Sequence, residues 1–394
     1  MKKVFLKLIL ALVLASMVSS VIVAPALANE PIDLADAEAT IEKVLVSPEG
    51  TVLPNGLTFS FSIAQVYGTT VTPAPESVSL NMTAPTATSS VEDGILTVKA
   101  QTENLLSNIA FPAGGTYVFE VRELPTTNPV VDGEMTFDTD SWLLFVQIAN
   151  TETGLKVHSV IVGRPVVDES GAFVLDEVGR PTATAKNPGS MLFENMFIPT
   201  DLGTADAPAL VISKTATGAL ANLIHPFSFS ISLTAPALPE GAILEGPILA
   251  TVVDTRGATE VTVGSPIDIL TNPNFTLPHG HELRVATLPV GTAFVVTEAG
   301  TPEYLPSVIV VAGSATGNRS AEVGESLATG SFRISMAAPG NRADFTNAHQ
   351  EAPLMGLNVA AMPFVIALFL STALLAMMVA TRSRKRIENL PIVH

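Results

Sequence analysis

The chain has 394 residues and a formal net charge of −17 at neutral pH, from 37 acidic and 20 basic side chains. This acidic balance argues against nucleic-acid binding, and the absence of cysteine excludes disulfides, cysteine-ligated zinc and cysteine nucleophiles. Lysine is scarce between residues 29 and 356, so the position of each one is informative; the five are Lys43, Lys99, Lys156, Lys186 and Lys214.

The first 28 residues have the layout of a signal peptide. A basic segment at 1–7 precedes an apolar segment at 8–23, and the small residues at 26–28 form a cleavage site. We expect cleavage before Asn29 and export of the remainder. The alternative is that the segment stays in place as an uncleaved anchor helix.

The middle of the chain has the pattern of antiparallel β-sheet. Apolar and polar residues alternate in short runs such as 58–63, and turn residues separate the runs. The segment is too long for one small sandwich. We therefore predict an all-β fold of two tandem immunoglobulin-like sandwiches, with the first domain at 36–199, a linker at 200–208 and the second domain at 209–350.

An internal repeat supports two domains. The sequence FSFSI at 59–63 recurs at 227–231. In each copy a strand with one lysine precedes this sequence, while an alternating strand that ends in glutamate and a closing F-x-N follow it. The repeated polar residues are Lys43, Glu123 and Asn195 in the first copy, and Lys214, Glu298 and Asn347 in the second.

The spacing of these residues is similar in the two copies. Lysine and glutamate are 80 residues apart in the first copy and 84 in the second, whereas glutamate and asparagine are 72 and 49 apart. The first copy therefore carries an insertion, which we expect within 150–188.

A lysine, a glutamate and an asparagine in apolar strands suggest a covalent reaction. Burial lowers a lysine pKa and raises a glutamate pKa, so a neutral amine and a protonated carboxyl can coexist. The amine can then attack the asparagine amide while the acid transfers protons, which gives an isopeptide bond and ammonia. Such a reaction needs no cofactor and no metal, because the fold holds the reactants together.

The order of these motifs resembles the streptococcal pilin isopeptide-linkage domain of Gram-positive surface pilins, twice over most of 36–350. The resemblance implies a sandwich in which lysine and asparagine lie on adjacent first and last strands. It also implies bonds from Lys43 to Asn195 and from Lys214 to Asn347, with Glu123 and Glu298 as the catalytic residues.

The C-terminal region predicts an anchor. Residues 356–381 are uncharged and long enough for a membrane helix, and the basic tail at 382–394 is expected in the cytoplasm. The segment before this helix resembles an L-P-x-T-G sorting signal but departs from it at the first and fourth positions. It reads Ala352, Pro353, Leu354, Met355 and Gly356. Either an atypical sortase accepts this segment, or the protein stays anchored in the membrane.

These features predict a structural protein on the surface of a Gram-positive bacterium, pilin-like and not an enzyme beyond one self-crosslinking turnover. The partners expected are a sortase, other pilin subunits or the cell wall, and a host surface ligand. The alternative function is that of a membrane-anchored adhesin or ligand-binding protein that uses the sandwiches as a stalk.

Overall fold

A computed structural model describes residues 31–74, 77–83, 87–107, 109–187, 189–239, 241–350 and 362–388. The signal peptide predicted at 1–28 and the sorting-like segment at 351–356 lie outside the described residues. The structure is mostly β, with 52% of residues in strands and 7% in helices. The prediction of an all-β fold is therefore confirmed.

The first half of the described chain, residues 31–199, begins with a 3-10 turn at Leu34–Asp36 and then forms strands. They are β1 (Thr40–Pro48), β2 (Thr58–Tyr67), β3 (Val78–Asn81), β4 (Thr88–Glu92), β5 (Ile95–Gln101), β6 (Gly115–Asn128), β7 (Gly133–Thr136), β8 (Ser141–Thr151), β9 (Gly154–Pro165), β10 (Ala183–Asn187) and β11 (Ser190–Pro199).

The second half, residues 200–350, also consists of strands. Its strands are β12 (Leu210–Thr217), β13 (Phe227–Thr234), β14 (Leu249–Asp254), β15 (Val261–Asp268), β16 (Asn274–Leu277), β17 (His281–Val285), β18 (Ala293–Glu298), β19 (Tyr304–Ala312), β20 (Ala315–Ser320), β21 (Leu327–Ala328), β22 (Phe332–Arg333) and β23 (Asn341–His349).

Each half contains two sheets. In the first half the strand orders are β4-β5-β1-β11-β7 and β10-β9-β8-β6-β2-β3. In the second half they are β15-β14-β17-β12-β23-β19-β20 and β16-β13-β18-β21, with β22 also paired to β18. In both halves the first strand lies parallel to the last strand of the same sheet, β1 beside β11 and β12 beside β23.

The alternating sequences place one face of each strand in an apolar interior. Strand β11 shows this directly, because every second residue is buried. Two large clusters of buried residues result, one within each half. Aromatic members of the first include Phe59, Phe61, Tyr117, Phe119 and Phe193, and those of the second include Phe227, Phe229, Phe294 and Phe345.

The residues between β8 and β11 form the insertion that the spacing predicts in the first half. Strands β9 and β10 extend the sheet beyond β8, and residues 166–182 form an arm of two successive turns. Phe173 of this arm packs against a small cluster on the outer face of the sheet, which contains Val118 and Leu143. The insertion is therefore ordered and docked along part of its length.

The turn after β1 contacts the second half directly. The Met336 amide and the Ser335 hydroxyl both donate to the Gly50 carbonyl oxygen, at 2.9 and 3.3 Å. Arg333 forms an ion pair with Glu49 at 3.0 Å. These contacts join the halves at a point separate from the connecting segment at 200–208.

A helix, α1, extends over Met362–Glu388. Residues 356–361 of the helix expected at 356–381 lie outside the described residues, and the helix continues through the basic residues of the expected tail. In the described part of the chain, no helix is both long enough and apolar enough to cross a membrane. The structure therefore does not support the membrane span predicted at 356–381.

Candidate functional site

The pairing of β1 with β11 places Lys43 and Asn195 on one face of their sheet. Lys43 lies opposite Phe193, and Leu45 lies opposite Asn195, so the two polar residues are offset by two positions. Because side chains alternate between faces with a period of two, this offset keeps both side chains on the same face.

The second half has the same register. Lys214 lies opposite Phe345, and Ala216 lies opposite Asn347, in the parallel pair of β12 and β23. Lysine and asparagine are again offset by two positions.

The glutamates come from the facing sheets. Glu123 lies on β6 opposite Phe61 of β2, and Glu298 lies on β18 opposite Phe229 of β13. The second phenylalanine of the repeated FSFSI sequence thus occupies the same place relative to the glutamate in both halves. Each glutamate crosses the interior to reach the lysine and asparagine of the other sheet.

We call Lys43, Glu123 and Asn195 site one. Lys43 Nζ donates to Glu123 Oε2 at 2.7 Å, and Asn195 Nδ2 donates to Glu123 Oε1 at 2.7 Å. The Asn195 side-chain oxygen in turn accepts the backbone N–H of Asp138 at 2.8 Å. The glutamate therefore bridges the amine and the amide, and the amide oxygen has its own donor.

We call Lys214, Glu298 and Asn347 site two. Lys214 Nζ and Asn347 Nδ2 both donate to Glu298 Oε1, each at 2.7 Å. Among the described residues, Glu298 Oε2 and Asn347 Oδ1 are buried without a hydrogen-bond partner. As in site one, the glutamate of site two contacts both the lysine and the asparagine. Unlike in site one, no described residue donates to the side-chain oxygen of the asparagine.

Both sites are enclosed by aromatic rings from the repeated motifs. Lys43 Nζ lies 5.0 Å from the centre of the Phe59 ring, and Lys214 Nζ lies 4.3 Å from that of Phe227. The phenylalanine of each closing F-x-N packs against the second phenylalanine of FSFSI, with centroids 5.1 Å apart in site one and 5.2 Å in site two. The lysines are 0% and 1% exposed.

Burial changes the acid–base properties of both pairs. Desolvation lowers the pKa of Lys43 to about 8 and that of Lys214 to about 8, although the neighbouring carboxylates oppose the shift. Desolvation likewise raises the pKa of Glu123 and of Glu298 above the ordinary value of a glutamate. Both shifts favour the pair in which the lysine is a neutral amine and the glutamate a protonated acid.

The structure brings together all six residues that the sequence predicts for these sites. The remaining predicted residues, those of the sorting-like segment, lie outside the described residues. Sequence reasoning missed Asp138, whose contribution to site one comes from its backbone. The Asp138-Thr139-Asp140 sequence is typical of a turn and gave no indication that its amide reaches Asn195.

Comparison with known domain families gives one match, to a domain of unknown function (DUF7601) at residues 208–328. No curated protein matches the chain.

Comparison with solved structures finds proteins of bacterial pili. The major pilin from Streptococcus pyogenes is 18% identical, with 80% of this chain and 99% of that chain covered and a TM-score of 0.30. A mutant of the same major pilin is 19% identical, with the same coverage and a TM-score of 0.31. A pilus-presented adhesin is 12% identical, with 79% of this chain and 100% of that chain covered and a TM-score of 0.21.

Proposed function

We propose that the chain is a structural surface protein, pilin-like, in which each half is a sandwich domain locked by an internal amide bond. The domains are 36–199 and 209–350, and the bonds join Lys43 to Asn195 and Lys214 to Asn347. One observation carries the proposal: two buried sites hold the same three residue types with the same strand register and the same 2.7 Å contacts to a bridging glutamate.

The reaction at each site is a transamidation. The neutral lysine Nζ attacks the asparagine Cγ, and a new Nζ–Cγ bond forms. The protonated glutamate donates its proton to the leaving Nδ2 and takes one from the attacking nitrogen, so it ends the reaction as it began. The Cγ–Nδ2 bond breaks and ammonia leaves. This role for Glu123 and Glu298 is supported by the hydrogen bonds that each accepts from both reacting nitrogens.

The position of the bond suits a protein under tension. The linked residues lie on the first and last strands of each half, and these strands are adjacent and parallel. A force that enters through β1 and leaves through β11 would pass through the bond instead of pulling these two strands apart. An exported protein without cysteine would gain a permanent crosslink in this way.

The proposed location is the surface of a Gram-positive bacterium. The signal peptide at 1–28 would direct export, and the sorting-like segment at 352–356 would meet a sortase that joins the protein to other pilin subunits or to the cell wall. Surplus negative charge, −17 in total, favours a soluble exposed surface.

The arm at 166–182 favours a second candidate function, that of an adhesin whose sandwiches serve as a stalk. Asp168 and Asp176 each accept two backbone N–H groups across their turns, so the arm has a defined shape. Leu175 and Val178 on the arm are 55% and 66% exposed. An ordered projection with exposed apolar side chains can bind a host surface protein.

The two functions are separated by a binding experiment with the variant L175D/V178D. If the arm is a binding surface, this variant loses attachment of the full chain to host cells while both crosslinks still form. The control is V130D, because Val130 is 87% exposed but lies outside the arm. Equal attachment of both variants and the wild type would exclude the arm as the binding surface.

The crosslinks are tested by proteolysis of the folded full chain and mass analysis of the peptides. We expect one branched peptide joining Lys43 to Asn195 and one joining Lys214 to Asn347. In E123A only the first should disappear, and in E298A only the second, because each glutamate contacts a single site. Linear peptides from both wild-type sites would contradict the proposal.

A further inference from the structure

The two sites differ at the oxygen atom of the reacting amide. In site one Asn195 Oδ1 accepts the Asp138 backbone N–H at 2.8 Å. In site two Asn347 Oδ1 is buried and has no hydrogen-bond partner among the described residues. The glutamate contacts also differ, since lysine and asparagine donate to separate oxygens of Glu123 but to a single oxygen of Glu298. At the carbonyl oxygen of the reacting amide, the difference is the Asp138 N–H.

This oxygen is the atom on which negative charge develops during the reaction. When the lysine nitrogen attacks Cγ, the carbonyl electrons move onto Oδ1 and the carbon becomes tetrahedral. The charge returns when the Cγ–Nδ2 bond breaks and ammonia leaves. A donor that is already in place stabilises the charged oxygen without any reorganisation.

We propose that the Asp138 backbone N–H is the oxyanion donor of site one, and that site one consequently forms its bond faster than site two. This inference rests on the proposed function, since it concerns the rate of the same transamidation. The Asp138 amide would touch a reacting atom, so it belongs to the catalytic group together with Glu123.

Two hydrogen bonds accepted by the Asp138 side chain hold the loop that carries this amide. Asp138 Oδ1 accepts the Asp140 N–H at 2.9 Å, and Asp138 Oδ2 accepts the Glu194 N–H at 3.2 Å. Glu194 precedes Asn195 on β11, so the side chain of Asp138 ties the loop to the strand that supplies the reacting amide.

The residues on the N-terminal side of Asp138 are held as well. Phe137 meets Phe59 edge to face with ring centroids 6.3 Å apart, and β7 pairs with the end of β11 from Met196 onward. The donor is therefore positioned by the sheet and the core, and the Asp138 side chain acts as a positioning group for its own amide.

The two sites of one chain can be compared in a single experiment. The full chain is synthesised, kept in denaturant and checked by mass to be unlinked, then transferred to refolding buffer. The reaction is stopped in samples taken at intervals, and each sample is digested with protease. The amounts of branched and linear peptide from each site are then measured by mass spectrometry. Site two serves as the internal control for site one.

In the wild type we expect site one to link faster than site two, by up to about 10²–10³-fold, the usual effect of one oxyanion donor. The variant D138P lacks the N–H and should slow site one to a rate near that of site two. The variant D138A keeps the N–H but loses both side-chain anchors, so its rate should lie between those of the wild type and D138P. Site two should be unchanged in both variants.

Several outcomes would overturn the inference. If site two links as fast as site one in the wild type, the predicted order of the two rates is wrong, and this result does not depend on how any variant folds. If D138P folds, by its circular dichroism, and still links site one at the wild-type rate, the assignment of the N–H is wrong. If neither wild-type site links, the proposed function itself fails, which is a separate result.

Discussion

A charged lysine inside a β-sandwich is costly, and residues 43 and 214 are both lysines with almost no exposure. A buried ion pair recovers only part of the free energy lost when its charges leave water. An amide bond removes both the amine and the need for a counter-charge. At the scale of single residues, the proposed reaction therefore replaces an expensive buried pair by a neutral group.

The acidity of the pair predicts how the linking rate depends on pH. At pH values between the raised pKa of Glu123 and the Lys43 pKa of about 8, the pair holds one proton in total. Because this proton lies on one group or the other, the fraction of pairs with a neutral lysine and a protonated glutamate does not change with pH in this window. Below this window Lys43 is protonated and cannot attack. Above about pH 8 both groups are deprotonated, and Glu123 cannot supply a proton. We expect the rate of linking to be highest inside the window and to fall on both sides.

The refolding experiment at a series of pH values measures this profile. The fluorescence of Trp142, the single tryptophan of the chain, reports folding of the first half independently of linking. A linking rate that keeps rising well above the Lys43 pKa of about 8 while folding is unchanged would show that Glu123 is not needed as an acid.

The side chains that meet in sites one and two could be predicted from the sequence because each belongs to a repeated pattern. Of the five lysines between residues 29 and 356, two fall at equivalent positions of the internal repeat. In each copy of the repeat a glutamate ends an alternating strand. The Asp138 amide could not be predicted, since every residue other than proline has a backbone N–H and nothing in its sequence marks the one that reaches Asn195.

At the scale of elements, the register between paired strands determines whether the lysine and the asparagine of each site lie close together. Alternation predicted β2, β6, β13 and β18, and the insertion was expected where β9, β10 and the arm occur. Alternation alone cannot fix which residues of two strands lie opposite each other. The shared two-residue offset in β1–β11 and β12–β23 emerged only from the structure.

The bond between β1 and β11 should stabilise the first half. The variant K43M removes the nucleophile and leaves an apolar side chain of similar length beside Phe59. Glu123 loses its cationic partner, and because the Lys43 charge opposes the desolvation that raises the Glu123 pKa, the variant favours the protonated, uncharged acid. Closing a loop of about 150 residues corresponds to roughly 5 kcal/mol in the chain-entropy account, which is an upper figure. We expect K43M to lower the free energy of unfolding of the first half by up to that amount, measured by denaturant titration of Trp142 fluorescence.

The matched control is K99M on the neighbouring strand β5. Lys99 is only half-buried and belongs to neither site. Its replacement should change the unfolding free energy far less. Identical unfolding midpoints for K43M and the wild type would mean that no stabilising bond is present at site one.

At the scale of the whole molecule, the two halves meet through more than their linker. Gly50 has φ +94, and a Cβ there would lie 2.5 Å from the Ile334 carbonyl oxygen. This close approach allows the Gly50 carbonyl to accept hydrogen bonds from Ser335 and Met336. These contacts would limit movement between the halves, which fits the proposed force-bearing function.

The variant G50V should loosen this junction, because its side chain would collide with the backbone of the second half. We expect a broader distribution of distances between the halves in small-angle X-ray scattering, with both crosslinks intact. G56V is the control, since Gly56 also has positive φ, at +74, but a Cβ there meets nothing within 4 Å. Equal scattering from G50V and G56V would contradict a junction held at Gly50.

The intact mass of the folded full chain tests the central claim most directly. Two completed bonds predict a mass lower than that of the amino-acid sequence, after any processing of the termini, by the mass of two ammonia molecules. The double variant E123A/E298A should show no such loss. A folded wild-type chain with the unmodified mass would contradict the account.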